Sequence, residues 1–296
     1  MGKELRGALL LLLTALIWGT AFSAQSIGME YIGPFTFNFA RTIVAAVVLS
    51  PKFWGLRAYG RNKRKISIKN TVVGGVFCGI VLFAASSFQQ SGIALTTAGK
   101  AGFITALYIV IVPVLELIFY KKASKKIWLC VLIAISGFYM LCIKEDLGIG
   151  RGDLLVLVCA LLFAVHIMVI DHFNTKDTDG TVMSCIQFYA ASIPLLICMF
   201  LFEKPNINNI IAAWKPILYA GVMSSGVGYT LQIIGQRYTP PATATLIMSL
   251  ESVFAALSGW LILNERMSPK ELTGCALVFA AVIIAQININ FIVKDI

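Results

Sequence analysis

Charge is scarce in this sequence. Acidic and basic residues together make up 13% of its 296 residues, about half of what a soluble domain spends on its coat. With 58% hydrophobic residues and a mean hydropathy of +0.85, an ordinary water-soluble fold is excluded and lipid must face much of the chain. A disulfide or thiolate-metal framework is also missing. The seven cysteines, Cys78, Cys130, Cys142, Cys159, Cys185, Cys198 and Cys275, lie inside apolar segments without a C-x-x-C pair and read as small packing residues. A phosphate loop is absent too, because Gly99-Lys100 lacks the earlier glycine, which is Ala94, and the following hydroxyl, which is Ala101. No nucleotide-driven engine is encoded.

What charge there is amounts to +10 net, and its distribution argues against nucleic acid as a partner. Lys52, Arg57, Arg61, Lys63, Arg64, Lys65 and Lys69 form one run and Lys121, Lys122, Lys125 and Lys126 another, each between long apolar stretches, as cytoplasmic anchors of a membrane protein are placed. Lys3 and Arg6 before the apolar Leu9 to Ile17, with Ala21, Ser23 and Ala24 beyond, imitate a signal peptide. Because further spans follow, this segment is expected to remain as the first helix.

Apolar windows of helix-spanning length can be laid down about ten times: Leu5 to Ile27, Pro34 to Phe53, Thr71 to Gly92, Thr97 to Phe119, Lys126 to Ile143, Gly152 to His172, Thr181 to Phe202, Ala213 to Ile234, Pro241 to Leu263 and Pro269 to Ile292. Counting Lys52 at the end of the second window and Lys126 at the start of the fifth, seven basic residues cluster after the second window and four after the fourth, whereas the loops after the first and third carry none. Both termini are therefore expected in the cytoplasm of a multi-pass protein of the cell membrane. Lys204, Lys215, Arg266 and Lys270 outside, against Lys176, Arg237 and Lys294 inside, give the second half a mild opposite bias.

An ungapped shift of 143 residues superposes windows three to five on windows eight to ten. Gln89, Gly92, Thr96, Ala101, Ile104, Leu107, Val110 and Leu129 then meet Gln232, Gly235, Thr239, Ala244, Ile247, Leu250, Val253 and Leu272. Five spans per block is an odd number, so the second copy enters the membrane upside down. The expected fold is an all-α membrane protein of about ten transmembrane helices in two inverted five-helix repeats, residues 1–143 and 152–296, with a hydrophilic linker at 144–151.

An ionisable group inside a bilayer costs on the order of 3 kcal/mol and needs a partner, a wet cavity or a function. Glu251 on the ninth span is a candidate for binding a substrate ammonium or carrying a proton, against a buried glutamate tied to a neighbouring helix. Arg41 on the second span could hold a carboxylate, but the stronger expectation is structural or gating: snorkelling toward the interface or capping a helix end. Glu116 is expected to pair locally with Lys121 and Lys122. His166 is the pH-sensitive candidate, although a lone helical histidine is more often a packing residue. Trp18, Gln89, Gln90, Tyr108, Tyr229 and Gln232 add a mixed aromatic and amide lining suited to an amphipathic organic solute, while each also suits an interfacial belt or an interhelical link. Gly75 and Gly79 form a G-x-x-x-G step for close helix packing.

Trp18-Gly19, Arg41, the stretch from Ala98 to Pro113, Gln236-Arg-Tyr238, Ser249-Leu-Glu251-Ser and Leu263-Asn-Glu265-Arg-Met-Ser-Pro269 together resemble the EamA branch of the drug/metabolite transporter superfamily over nearly the whole chain. Ser252 stands where that pattern usually has proline, and lysines 121 and 122 replace a glutamate ending its first block. The resemblance implies ten helices around a cavity lined mainly by helices 1, 3, 4, 6, 8 and 9. It further implies secondary transport, by export or exchange, of small organic metabolites, amino-acid-like solutes favoured, without a cofactor and with proton or solute counter-transport. A monomer or weak dimer is expected. Two rivals are a passive channel and a polytopic intramembrane enzyme. For the enzyme, His166, Asp171 and His172 invite a metal site, but helical spacing of about 100° per residue sets them on separated faces, so no metal site or catalytic set is expected.

Overall fold

The computed structural model describes residues 2–59, 66–96, 98–120, 125–142, 150–262 and 268–286. The basic positions 61, 63, 64, 65, 121 and 122 and the linker at 144–149 lie outside them. No strand occurs among the described residues, as expected where lipid offers backbone groups no partner and each helix must satisfy its own.

The helices in chain order are α1 (Lys3–Met29), α2 (Pro34–Tyr59), α3 (Ile68–Ile93), α4 (Ala98–Ala106), α5 (Tyr108–Tyr120), α6 (Lys125–Cys142), α7 (Arg151–Asn174), α8 (Gly180–Phe202), α9 (Ile207–Ala212) and α10 (Trp214–Tyr219). A π-helical segment (Ala220–Tyr229) follows, then α11 (Thr230–Gln236), α12 (Pro241–Met248), α13 (Leu250–Ile262) and α14 (Pro269–Gln286). Eight helical stretches among the described residues are long and apolar enough to cross a bilayer. The two further sequence windows are also helical, as α2 and α6, of 26 and 18 residues.

Start signals in the sequence account for the helix boundaries. Pro34, Pro241 and Pro269 each open a helix, where a missing N–H costs nothing. The Ser67 hydroxyl accepts from Asn70 N, and the Asp179 carboxylate accepts from the N–H groups of Thr181 and Val182 at 3.0 and 3.1 Å, satisfying donors that a helix leaves orphaned. Glu203 reaches across from the end of α8 to the start of α2, accepting from Phe35 N at 2.8 Å and Thr36 N at 2.9 Å.

Three spans are interrupted where the sequence pattern alone predicts continuous helices. The fourth window breaks at Leu107, where the Leu107 and Val110 N–H groups bond to Ile104 O and Leu107 O at 3.1 and 3.0 Å. The ninth breaks at Ser249, whose hydroxyl takes the Leu246 carbonyl at 2.7 Å, a side-chain bond of the kind that bends helices. The eighth widens into π turns from Ala220, which present backbone carbonyls sideways.

Packing joins helices from both parts of the chain. α1 lies against α13, the π segment and α11, while α7 lies against α3, α4 and α5. α8 contacts α2 and α3, α5 contacts α12, and α6 pairs with α14. Two crossings require glycine: a Cβ on Gly235 would lie 2.9 Å from Leu11 Cγ, and one on Gly152 2.9 Å from Leu95 Cβ. Gly75 and Gly79 face Ile186 and Gln187 on α8. The outer face carries exposed Ile118, Phe119, Leu132, Ile193, Phe200 and Leu201, a surface matched to hydrocarbon.

Candidate functional site

A cavity opens between the helices, reached by residues of α1, α2, α3, α4, α5, α7, the π segment, α11, α12 and α13. One pole carries Arg41, only 5% exposed. Its Nη1 donates to Gln25 Oε1 at 3.2 Å, and its guanidinium lies 6.0 Å from the Phe37 ring centroid. Among the described residues no carboxylate forms an ion pair with it. A buried cation left without an anion is costly, and a membrane-embedded one marks a functional position by default.

The other pole carries Glu251, 4% exposed. Its Oε1 accepts a hydrogen bond from the Tyr108 hydroxyl at 3.2 Å. On the same cavity wall, Trp18 Nε1 donates to Ser224 O at 3.0 Å, a carbonyl presented by the π segment. The Trp18 ring meets the Tyr229 ring at 4.8 Å between centroids, and Tyr229 in turn stands edge-on to His166 and Phe188. Gln89 and Gln232 both line the cavity, and Gln232 Oε1 has no protein partner among the described residues. The lining thus offers a guanidinium, a carboxyl group, the three amides of Gln25, Gln89 and Gln232, and aromatic faces, a mixture suited to a small organic molecule.

Trp18, Gln89, Tyr108, Tyr229, Gln232 and Glu251, singled out from the sequence, all line this cavity, while three other candidates do not. Gln90 is fully buried, with neither amide atom partnered among the described residues. His166 is fully buried and its Nε2 lies 3.1 Å from Gln187 Oε1. An amide oxygen only accepts, so this contact places the proton on Nε2, and Nδ1 has no partner among the described residues. Gln187 Nε2 continues to the Ser184 hydroxyl, which also accepts from Thr230 at 2.9 Å. Glu116 accepts from Ala242 N at 3.4 Å, at the start of α12. Its expected lysine partners lie outside the described residues.

Arg41 requires a correction. It neither snorkels nor caps a helix end, because α2 turns it inward, where Gln25 receives it. Gln25 escaped the sequence reading, as did the lining residues Phe22, Phe163 and Ser224. A signal for Gln25 existed: Trp18, Phe22 and Gln25 share one face of α1 at spacings of four and three. His166, Asp171 and His172 are not gathered. Asp171 accepts from the Tyr120 hydroxyl at 3.2 Å, and among the described residues no three His, Cys, Asp or Glu side chains could hold a metal ion.

Comparison with known proteins agrees with this architecture. A family model described as the EamA-like transporter family matches twice, over residues 5–143 and 150–286. An uncharacterized transporter of Archaeoglobus fulgidus is 32% identical over 291 residues, spanning 97% of this chain and 88% of its own. A probable terminal-alkyne amino-acid exporter of Streptantibioticus cattleyicolor is 22% identical over 282 residues, 93% of this chain and 91% of its own. A solved crystal structure at 17% identity shares the fold with a TM-score of 0.77, covering 95% of this chain and 96% of that one.

Proposed function

The chain belongs to the EamA-like transporter family, and from that premise we propose that it carries a small zwitterionic, amino-acid-like solute across the cell membrane by alternating access. The observation that carries this proposal is that one buried guanidinium, Arg41, and one buried carboxyl group, Glu251, both line a single cavity. A carboxylate on the solute would meet the Arg41 and Gln25 pole, and an ammonium the Glu251 and Tyr108 pole. Trp18 and Tyr229 would hold the apolar body between them. Each pole satisfies a charge that the other would repel, which favours a zwitterion over an ion of either sign.

The moving parts in this proposal are two inverted five-helix blocks, residues 1–143 and 152–296. The double family match supports them, and so does the packing. Gly92 and Gly235 stand at the repeat interval, and each meets a glycine of the other block, Gly152 and Gly7 respectively. α1 meets α11 as α7 meets α3, and α1 meets α13 as α7 meets α4 and α5. Two near-equivalent packings of this kind supply states open to opposite sides. The basic residues at the chain start and between α2 and α3 favour the cytoplasm for both, and the α7–α8 connection, whose Asp177 O accepts from Ser67 N at 3.0 Å, would lie on the same side.

Thermal shift of the purified protein against amino acids, their methyl esters and their N-acetyl forms tests the substrate class. Free amino acids are expected to raise the Tm; esters, lacking the carboxylate, and acetylated forms, lacking the ammonium, are not. Arg41→Gln would then cancel the preference for the free carboxylate, and Glu251→Gln that for the free ammonium. Equal stabilisation by all three forms would overturn the zwitterion assignment.

A further inference from the structure

The hydrogen bond from the Tyr108 hydroxyl to Glu251 Oε1 joins residues 143 positions apart. That is the interval at which the two halves of the sequence repeat. Pro241 opens α12 at the same interval after Ala98 opens α4, so the two broken spans correspond. Tyr108 is the first residue of α5, immediately past the break at Leu107, and Glu251 is the second residue of α13, past the break at Ser249. Both side chains are nearly inaccessible, at 3% and 4%.

A two-fold axis carries any residue lying away from it to the far side of the molecule. A residue and its own repeat mate can therefore touch only close to the axis. When two inverted blocks exchange conformations, an off-axis contact is exchanged for its mate, as Gln89 near one end for Gln232 near the other. A contact on the axis is exchanged for itself.

We propose that Tyr108 and Glu251 form the pivot of the transport cycle, a contact kept in both states while the breaks at Leu107 and Ser249 flex on either side of it. Tyr108 is then a positioning residue: it holds one oxygen of Glu251 and leaves the other to the solute. The unlike pair also makes the pivot directional, since a tyrosine from one block and a carboxylate from the other leave the two states unequal in energy. This inference rests on the two-block reading given above.

The test uses the full chain in vesicles, with its native cysteines replaced and a membrane-impermeant maleimide applied from each side. Gln89→Cys and Gln232→Cys are expected to label from opposite sides. Bridging Tyr108→Cys to Glu251→Cys with a short bifunctional thiol reagent should leave both labelling rates within about twofold of the unbridged protein, because a pivot does not part. Loss of labelling at either position on bridging would show that the pair separates during the cycle and would overturn the proposal. The exchanged variant, Tyr108→Glu with Glu251→Tyr, should invert the ratio of labelling at 89 to that at 232, whereas an unchanged ratio in folded protein would also overturn it. Should the exchanged variant fail to fold, the bridging result decides. If residues 89 and 232 in the unbridged protein do not label from opposite sides, the two-block reading itself fails and the pivot with it, an outcome distinct from labelling lost only on bridging.

Discussion

The two halves of this bundle place different chemistry on the same frame. Arg41 is the eighth residue of α2 and Gln187 the eighth of α8, and each meets a polar side chain on the preceding long helix. Arg41 meets Gln25 and faces the cavity; Gln187 meets His166 and continues a buried chain through Ser184 to Thr230. One half spends its polar position on a charge facing the cavity, the other on a neutral network that ties α7, α8 and α11 together. Repetition builds the frame, and departure from repetition builds the site.

The largest effect that would sharpen this contrast is expected at Arg41. Arg41→Gln should lower transport of the preferred amino acid, as kcat/KM, by about 30-fold or more, the loss that goes with a desolvated charge-to-charge contact of 2 or more kcal/mol. Its Tm should hold or rise, since the variant no longer buries a cation without an anion. A fall in Tm together with unchanged kcat/KM would make Arg41 structural and erase the difference between the halves. Next in size is the glycine crossing of α1 with α11. Gly235→Val should destabilise by about 2 kcal/mol through overpacking against Leu11, with Gly92→Val costing a similar amount against Val156. Chemical denaturation in detergent measures both, and a cost at only one of them would break the correspondence of the two crossings.

A smaller effect is expected at the neutral network. Gln187→Leu should cost about 1–3 kcal/mol by leaving His166 without its acceptor, while His166→Phe with Gln187→Leu should recover most of it. Transport should stay within about threefold of the parent in both, and a loss on the scale of Arg41→Gln would move this network into the solute path. The smallest is at the end of α8: Glu203→Gln weakens the cap on α2 and should cost about 1 kcal/mol.

The fold was legible because lipid imposes one rule, that apolar windows of sufficient length become helices, and because polar and glycine residues recur at one interval. Gln89 and Gln232 are legible in that recurrence and both reach the cavity. The breaks at Leu107 and Ser249 and the π segment were not, since they depend on which carbonyls neighbouring side chains claim, as Trp18 claims Ser224 O. The placement of Arg41 was illegible for a related reason: the sequence does not show which way α2 turns, and its partner Gln25 belongs to another helix. Gln90 was named for the lining and His166 as pH-sensitive on chemistry alone, yet a buried amide or imidazole serves a helix interface as readily as a cavity.

Counterflow in proteoliposomes tests the central claim most directly. Vesicles loaded with the unlabelled amino acid that stabilises the protein most should take up labelled amino acid faster than empty vesicles, with a rate that saturates, because a site facing one side at a time returns more quickly when occupied. Uptake that rises linearly with concentration and ignores the solute inside would contradict alternating access and describe a channel instead.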